Sequence, residues 1–562
     1  MSPRSSACCR SRSTSSEARA VTVLLRLPLL VLVSIITALS MLIPAAFASI
    51  TNHEEIARNF FYCCLLVLIV SGMIGLATWS RKRRRNAPEA LLNLVIVFTC
   101  LPLIMAIPFA ESLPDTGFFN AWWEMLSSLT TTGASLYSAD LLPEPLHLWR
   151  ALVGWMGGFF VLVTAVAILA PLRVGGFELT SSPYGRREYF ERLPQSDVQR
   201  VRQPHLSSPG FATYVSDPTY RLIRASVKVF PVYAVLTLIL WVLLLMLGDA
   251  SLVALCRAMG TLSTSGISPV LGHAGEASGV PGEMVVVIFL IPALSRRFWP
   301  GGEELRVTDR LRDDPELKLA TALVTLVALM LFLRHFIGAI ETQTGAGEAP
   351  QMAMDLYHAL AAFWGGLFNA MSYLTTTGWN SVDWQGARTW SGLTTPGLIL
   401  AGLAMMGGGV ATTAGGVKLM RVYALARHGE REMERIIHPN SVAGGGVMAR
   451  RLRREGAYLA FIFFMLFAVS IAVTITLVSI QPIQFETATI LSIAALTNTG
   501  PLAGAIPLTP TFEGTAGIAS APWEGWSGLP VFTKSVLAGA MVLGRLETLA
   551  ILALFSPEFW RK

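Results

Sequence analysis

The 562 residues are 53% hydrophobic and only 14% charged, with a mean hydropathy of +0.55. Soluble domains carry about 25% charged residues, so there are too few ionisable side chains to coat several water-soluble domains, and a cytosolic multidomain enzyme is excluded. The net charge of +7 sits in particular loops rather than in one patch interleaved with aromatics, which speaks of membrane topology and not of nucleic acid. Apolar runs close to the ~20 residues a membrane helix needs recur from end to end, so the chain reads as an all-α polytopic membrane protein.

Residues 1–20 read as a cytoplasmic tail carrying Arg4, Arg10, Arg12 and Arg19. Two extra membrane helices follow in residues 21–85. The first, Val21 to Ile50, is about twice as long as a signal-peptide core and is expected to be retained. The second, Asn59 to Ser80, ends in Arg81, Lys82, Arg83, Arg84 and Arg85, and such a run stays on the cytoplasmic side. The connections Arg173 to Arg224, Arg296 to Arg312 and Arg421 to Arg454 are basic as well, whereas Glu111 to His147 and Gly500 to Phe532 hold acids and no Lys or Arg. Every predicted crossing agrees with this alternation, and both termini are expected in the cytoplasm.

The remainder divides into four units, residues 86–175, 218–300, 315–427 and 455–562, because one polar pattern recurs four times. It reads LTTTGAS (Leu129 to Ser135), LSTSGIS (Leu262 to Ser268), LTTTGWN (Leu374 to Asn380) and LTNTGPL (Leu496 to Leu502). Helix-compatible stretches too short to span precede the loops: Phe118 to Ser128, Ser251 to Thr261, Leu356 to Tyr373 and Phe485 to Ala495. Each unit is thus a spanning helix, a half-helix, a loop with one glycine, and a second spanning helix. Non-helical backbone at membrane depth survives only where protein buries it or it lines a wet path. Four such loops around a pseudo-fourfold axis offer stacked rings of carbonyls and hydroxyls that replace the water shell of a cation. The candidate ligands are Thr131, Thr132 and Gly133; Thr264, Ser265 and Gly266; Thr376, Thr377 and Gly378; and Asn498, Thr499 and Gly500. Half-helices that end at these loops bring their negative dipole ends toward the cation.

Leu398 to Tyr423 is interrupted by Gly407, Gly408, Gly409, Gly415 and Gly416, with Lys418 just beyond. Glycine costs about 1 kcal/mol per site in a helix interior, so local unwinding is expected, either as a flexible loop beneath the filter or as a close packing face. Arg545 lies inside the last apolar run, Val531 to Phe555. It reads either as a cationic barrier in the pore or as the partner of a glutamate on another helix. The eight histidines show no metal-ligand spacing, the six cysteines form no C-x-x-C pair, and no nucleotide-binding glycine motif is present. No enzyme activity, no organic cofactor and no buried carboxylate relay are therefore expected.

The four loops, together with Trp155, Met156, Gly157 and Gly158 and the ending GRLETLAILALFSPEFWR (Gly544 to Arg561), resemble the Trk/Ktr/HKT superfamily of potassium transporters, and within it the TrkH type. The resemblance covers roughly residues 20 to 562. It implies one pore per subunit of a homodimer in the cell inner membrane, with K⁺ as the transported ion, either by passive flow or by symport with H⁺ or Na⁺. It also implies an intramembrane gating loop at the glycine-rich break, a pore arginine at Arg545, and a cytosolic nucleotide-binding regulator of the TrkA type. Glycine in all four loops accompanies potassium selectivity in that family. Two departures are Ser265, where relatives often carry a second glycine, and the Asn498–Thr499 pair in the fourth loop. Sodium or mixed transport stays the alternative reading.

Overall fold

The computed structural model describes residues 27–79, 87–114, 116–170, 218–270, 277–300, 311–346, 352–384, 397–437, 454–506 and 525–547. Among these no β-strand forms, and seven helices are long and apolar enough to cross a membrane. Helices α1 (Leu29–Ser40) and α2 (Leu42–Ile50) make one broken span, and α3 (Glu54–Thr78) returns beside it. The buried positions of α3 include Cys64, Val67, Ser71 and Gly75, three or four residues apart and largely small. Leu66, Ile69, Met73 and Leu76 stay exposed on the same helix. Large apolar side chains outside and small ones at the helix contact are what a hydrocarbon solvent selects.

The four repeats then appear in order. The first is α4 (Ala87–Ser112), α5 (Phe118–Leu129) and α6 (Glu144–Thr164); the second is α7 (Pro218–Met246), α8 (Ser251–Leu262) and α9 (Gly279–Leu290). The third is α10 (Pro315–Ala346), α11 (Met352–Leu374) and a second helix split into α12 (Gly397–Met406) and α13 (Leu419–Ile437). The fourth is α14 (Arg454–Val478), α15 (Phe485–Thr497), the short α16 (Leu502–Ala505) and α17 (Val531–Leu546). Within each repeat the middle helix packs on the helix before it and the helix after it. Between repeats α6 packs on α8, α9 on α11, α12 on α15, and α17 back on α5. That last contact closes the four repeats into a ring.

Two expectations change. The third middle helix is 23 residues long, Met352–Leu374, longer than the stretch from Leu356 to Tyr373 because no breaker separates Met352 from Leu356, and it is not among the seven apolar spans. The last helix ends at Leu546, where Glu547 adopts a left-handed φ of 64°; the predicted continuation to Phe555 lies outside the described residues. So do the tail, the Arg81 to Arg85 run, most of Arg173 to Arg224, and residues 438–453 and 507–524.

Candidate functional site

Each middle helix ends in the same hydrogen-bonded turn. The second loop residue takes a left-handed φ in all four repeats: 54° at Thr131, 52° at Thr264, 58° at Thr376 and 55° at Asn498. The N–H of the third residue then reaches the carbonyl five residues back: Thr132 to Ser127, Ser265 to Gly260, Thr377 to Ser372 and Thr499 to Ala494, at 2.8–2.9 Å. This is a Schellman-type helix end. Asn498 is the residue other than glycine most at ease in that conformation, so the fourth loop departs in sequence and agrees in shape.

Side chains repeat too. The first and third hydroxyls of each loop meet: Thr130 and Thr132 at 2.9 Å, Ser263 and Ser265 at 2.9 Å, Thr375 and Thr377 at 3.0 Å, Thr497 and Thr499 at 3.2 Å. Ser265 therefore keeps the bridge that threonine makes elsewhere. At the left-handed position Thr131 Oγ1 and Asn498 Oδ1 are buried and have no hydrogen-bond partner among the described residues. Unpaired buried oxygens are costly, and both of these lie at the same, second position of their loops.

The glycines lock the loops together. A methyl group on Gly133 would stand 1.9 Å from the Ser265 carbonyl oxygen, one on Gly266 2.1 Å from that of Thr377, and one on Gly500 2.7 Å from that of Thr132. At Gly378 the neighbour is the Pro501 ring, at 2.9–3.2 Å. Each glycine thus touches the next loop, and the fourth touches the first. Gly133, Gly266 and Gly378 have left-handed φ of 72°, 62° and 82°. Gly500 is not among the left-handed glycines; its N–H instead donates to the Thr132 carbonyl at 2.6 Å, so one carbonyl of the ring is already engaged. The flanking motifs seat the ring: Gly157 abuts the Leu129 carbonyl and Gly544 the Leu496 carbonyl, with no room for a methyl group.

The break between α12 and α13 lies directly against these loops. Gly415 N–H donates to Thr376 Oγ1 at 2.7 Å, and its Cα packs under the Thr497 carbonyl. Arg545 Nη2 donates to the Thr413 carbonyl at 2.7 Å, and the Lys418 ammonium bonds the Ala414 carbonyl. Farther along, Val410 N–H donates to Glu316 at 2.8 Å, Arg296 donates to the Ala411 carbonyl at 3.2 Å, and Gly409 N–H donates to the Ala293 carbonyl at 3.0 Å. Gly407 and Gly416 have left-handed φ and touch each other at the neck of the break, which Gly408 also lines. Among the described residues Arg545 makes no ion pair with a glutamate of another helix, and the glutamate two residues on, Glu547, pairs with Arg421 at 2.6 Å.

Sequence reasoning missed several polar groups behind the loops. Glu124 accepts from Leu136 N–H at 2.8 Å and pairs with Arg150 at 2.7 Å. Asn369, at the same place in the third repeat, accepts from Ser381 N–H at 2.9 Å. Glu283, wholly buried on α9, binds Trp364, Ser381 and Val382 of the third repeat. A lone acid within an apolar stretch, GVPGEMVVV, was the available signal.

Comparison with known proteins follows the same geometry. Residues 304–562 match the model of the TrkH family, described as a cation transport protein. The Trk system potassium uptake protein TrkH of Escherichia coli K12 is 25% identical over 530 residues, 93% of this chain and 96% of that protein. TrkI of Halomonas elongata is 24% identical over 546 residues, 95% of this chain and 96% of that protein. The crystal structure of the potassium transporter TrkH from Vibrio parahaemolyticus shares the fold, with a TM-score of 0.69 at 21% identity, covering 96% of this chain and 99% of that one. The apolar spans and these matches agree that the chain is an integral membrane protein, similar over most of its length to Trk potassium uptake proteins and carrying in residues 304–562 a match to the TrkH family of cation transport proteins.

Proposed function

We propose that this chain takes up potassium ions across the cell inner membrane through a pore lined by its four glycine loops. The observation that carries this reading is ring closure: every loop has the same left-handed helix end, and every filter glycine is wedged against the next loop. Residues 86–175, 218–300, 315–427 and 455–562 act as the four pore units. Residues 131–133, 264–266, 376–378 and 498–500 supply the ion's ligands. The relatives named as potassium uptake proteins support the choice of ion, and Ser265, by keeping the hydroxyl bridge, gives no ground for preferring sodium.

The break at residues 407–416, with Lys418 and Arg545, acts as the gate beneath the filter. Its backbone contacts with Thr376 and Arg545 support that role. Glu124 and Glu283 are each taken up by hydrogen bonds behind the loops rather than arranged in a relay, which favours passive flow over proton symport. The protein works as a homodimer with cytoplasmic termini. Its basic connections receive a cytosolic nucleotide-binding regulator of the TrkA type, in keeping with the absence of a nucleotide motif from the sequence.

Flux of K⁺, Rb⁺, Na⁺ and Li⁺ into vesicles containing the purified protein, with and without a proton gradient, tests the reading. K⁺ and Rb⁺ are expected to pass well ahead of Na⁺ and Li⁺. Equal passage of Na⁺ and K⁺ would overturn it.

A further inference from the structure

Glu283 lies on the second helix of the second repeat, five residues beyond Ser278 and wholly buried. It accepts three hydrogen bonds, all from the third repeat. Val382 N–H reaches Oε1 at 2.6 Å, while the Ser381 hydroxyl and the Trp364 indole N–H reach Oε2 at 2.9 and 2.7 Å. Ser381 and Val382 are the third and fourth residues after Gly378, so the carboxylate grips the chain as it leaves the third filter loop. Asn369 holds the same segment from its own repeat through Ser381 N–H. The start of the helix that carries Glu283 is fixed in turn, because Asp249 accepts from Ser278 N–H at 2.8 Å and from its hydroxyl at 3.0 Å, while Arg257 lies beside both.

An apolar residue would fill this place at less cost, since a buried carboxylate survives only when donors surround it. Here all three donors come from the neighbouring repeat and two of them from residues next to the filter. We infer that Glu283 is a selectivity-positioning residue: it clasps the exit strand of the third loop against the second repeat and so holds the spacing between the Gly266 and Gly378 rings. It touches no ion. The inference rests on the pore reading above and adds to it a named residue outside the loops.

Glu283→Gln keeps the shape and replaces one accepting oxygen by an NH₂ group, so either the Val382 bond or the Ser381 and Trp364 bonds are lost. A lost hydrogen bond of this kind corresponds to roughly a threefold to tenfold change in an equilibrium. The expected result, in vesicles containing equal amounts of folded protein, is a K⁺ to Na⁺ flux ratio lower by about that factor, with Na⁺ flux risen. A merely structural glutamate would change the yield of folded protein and leave the ratio untouched. Should Glu283→Gln fail to fold, Ser381→Ala, which removes a single donor from the opposite side, carries the test with a smaller drop in the same direction. A wild-type protein without K⁺ preference would strike at the pore reading; a selective wild type with an unchanged ratio in whichever variant folds would overturn the inference about Glu283.

Discussion

In the four glycine loops, the residues at the second position carry different duties although they share a left-handed backbone. Thr376 Oγ1 accepts the Gly415 N–H of the break, and Thr264 Oγ1 donates to the Ser263 carbonyl. Thr131 Oγ1 is buried with nothing bonded to it among the described residues. Thr131→Val keeps the branched shape and deletes that oxygen, so it should leave thermal stability unchanged or slightly raised while weakening half-saturation of flux by K⁺ several-fold. Loss of stability with unaltered K⁺ dependence would show the hydroxyl to be structural instead. The loop motif itself was legible in the sequence, since Thr/Ser-rich turns with one glycine have few other uses four times over. The reason Asn498 fits was legible only as a departure, because the left-handed angle at the second position is a property of backbone that TTTG does not spell out. Gly500 was read as equivalent to the other three, and only the structure reveals that its N–H bonds the Thr132 carbonyl.

Among elements, the split helix α12–α13 shows how far composition carries. Five glycines in ten residues announced the break, and the break is there. They also suggested a flexible loop, and the fold anchors it at many points. Residues 409, 410, 411, 413, 414 and 415 each bond a group outside the flexible backbone, and the partners Glu316 and Arg545 lie 94 and 132 residues away in sequence. Sequence periodicity has no access to partners at such separations. Arg545 and the break were read separately in the sequence, yet a hydrogen bond joins them, so their effects are coupled. Arg545→Ala should raise flux per folded molecule, more so at low ionic strength. Adding it to a deletion of residues 407–416 should bring little further gain. Because Glu547 already pairs with Arg421, no carboxylate among the described residues is stranded by the change, and a well-folded variant with unchanged flux would sink the barrier role.

Across the whole molecule, the four repeats are equivalent in topology and unequal in tolerance. Gly133 and Gly266 combine a left-handed backbone with a carbonyl oxygen about where a methyl group would go; Gly378 shares the left-handed backbone but faces only the ring of Pro501, and Gly500 lacks the left-handed φ although a methyl group there would stand 2.3 Å from the Ala134 nitrogen. Alanine at Gly133 or Gly266 should therefore lower K⁺ over Na⁺ preference more than alanine at Gly378, as measured by paired isotope flux. Equal effects at all three would mean that the ring relaxes as one body. The same closure bears on how the protein is made. Asn498 bonds the Thr132 hydroxyl across 366 residues of chain, and Gly500 bonds the adjoining carbonyl. During synthesis the first loop is made before the partners that complete it exist, so Thr132 is without these two bonds until the fourth repeat arrives. Contacts so distant in sequence form late, so a ribosome that stalls before residue 500 leaves behind three repeats with an open seam, a form that quality-control proteases should recognise and that has no finished pore to leak ions.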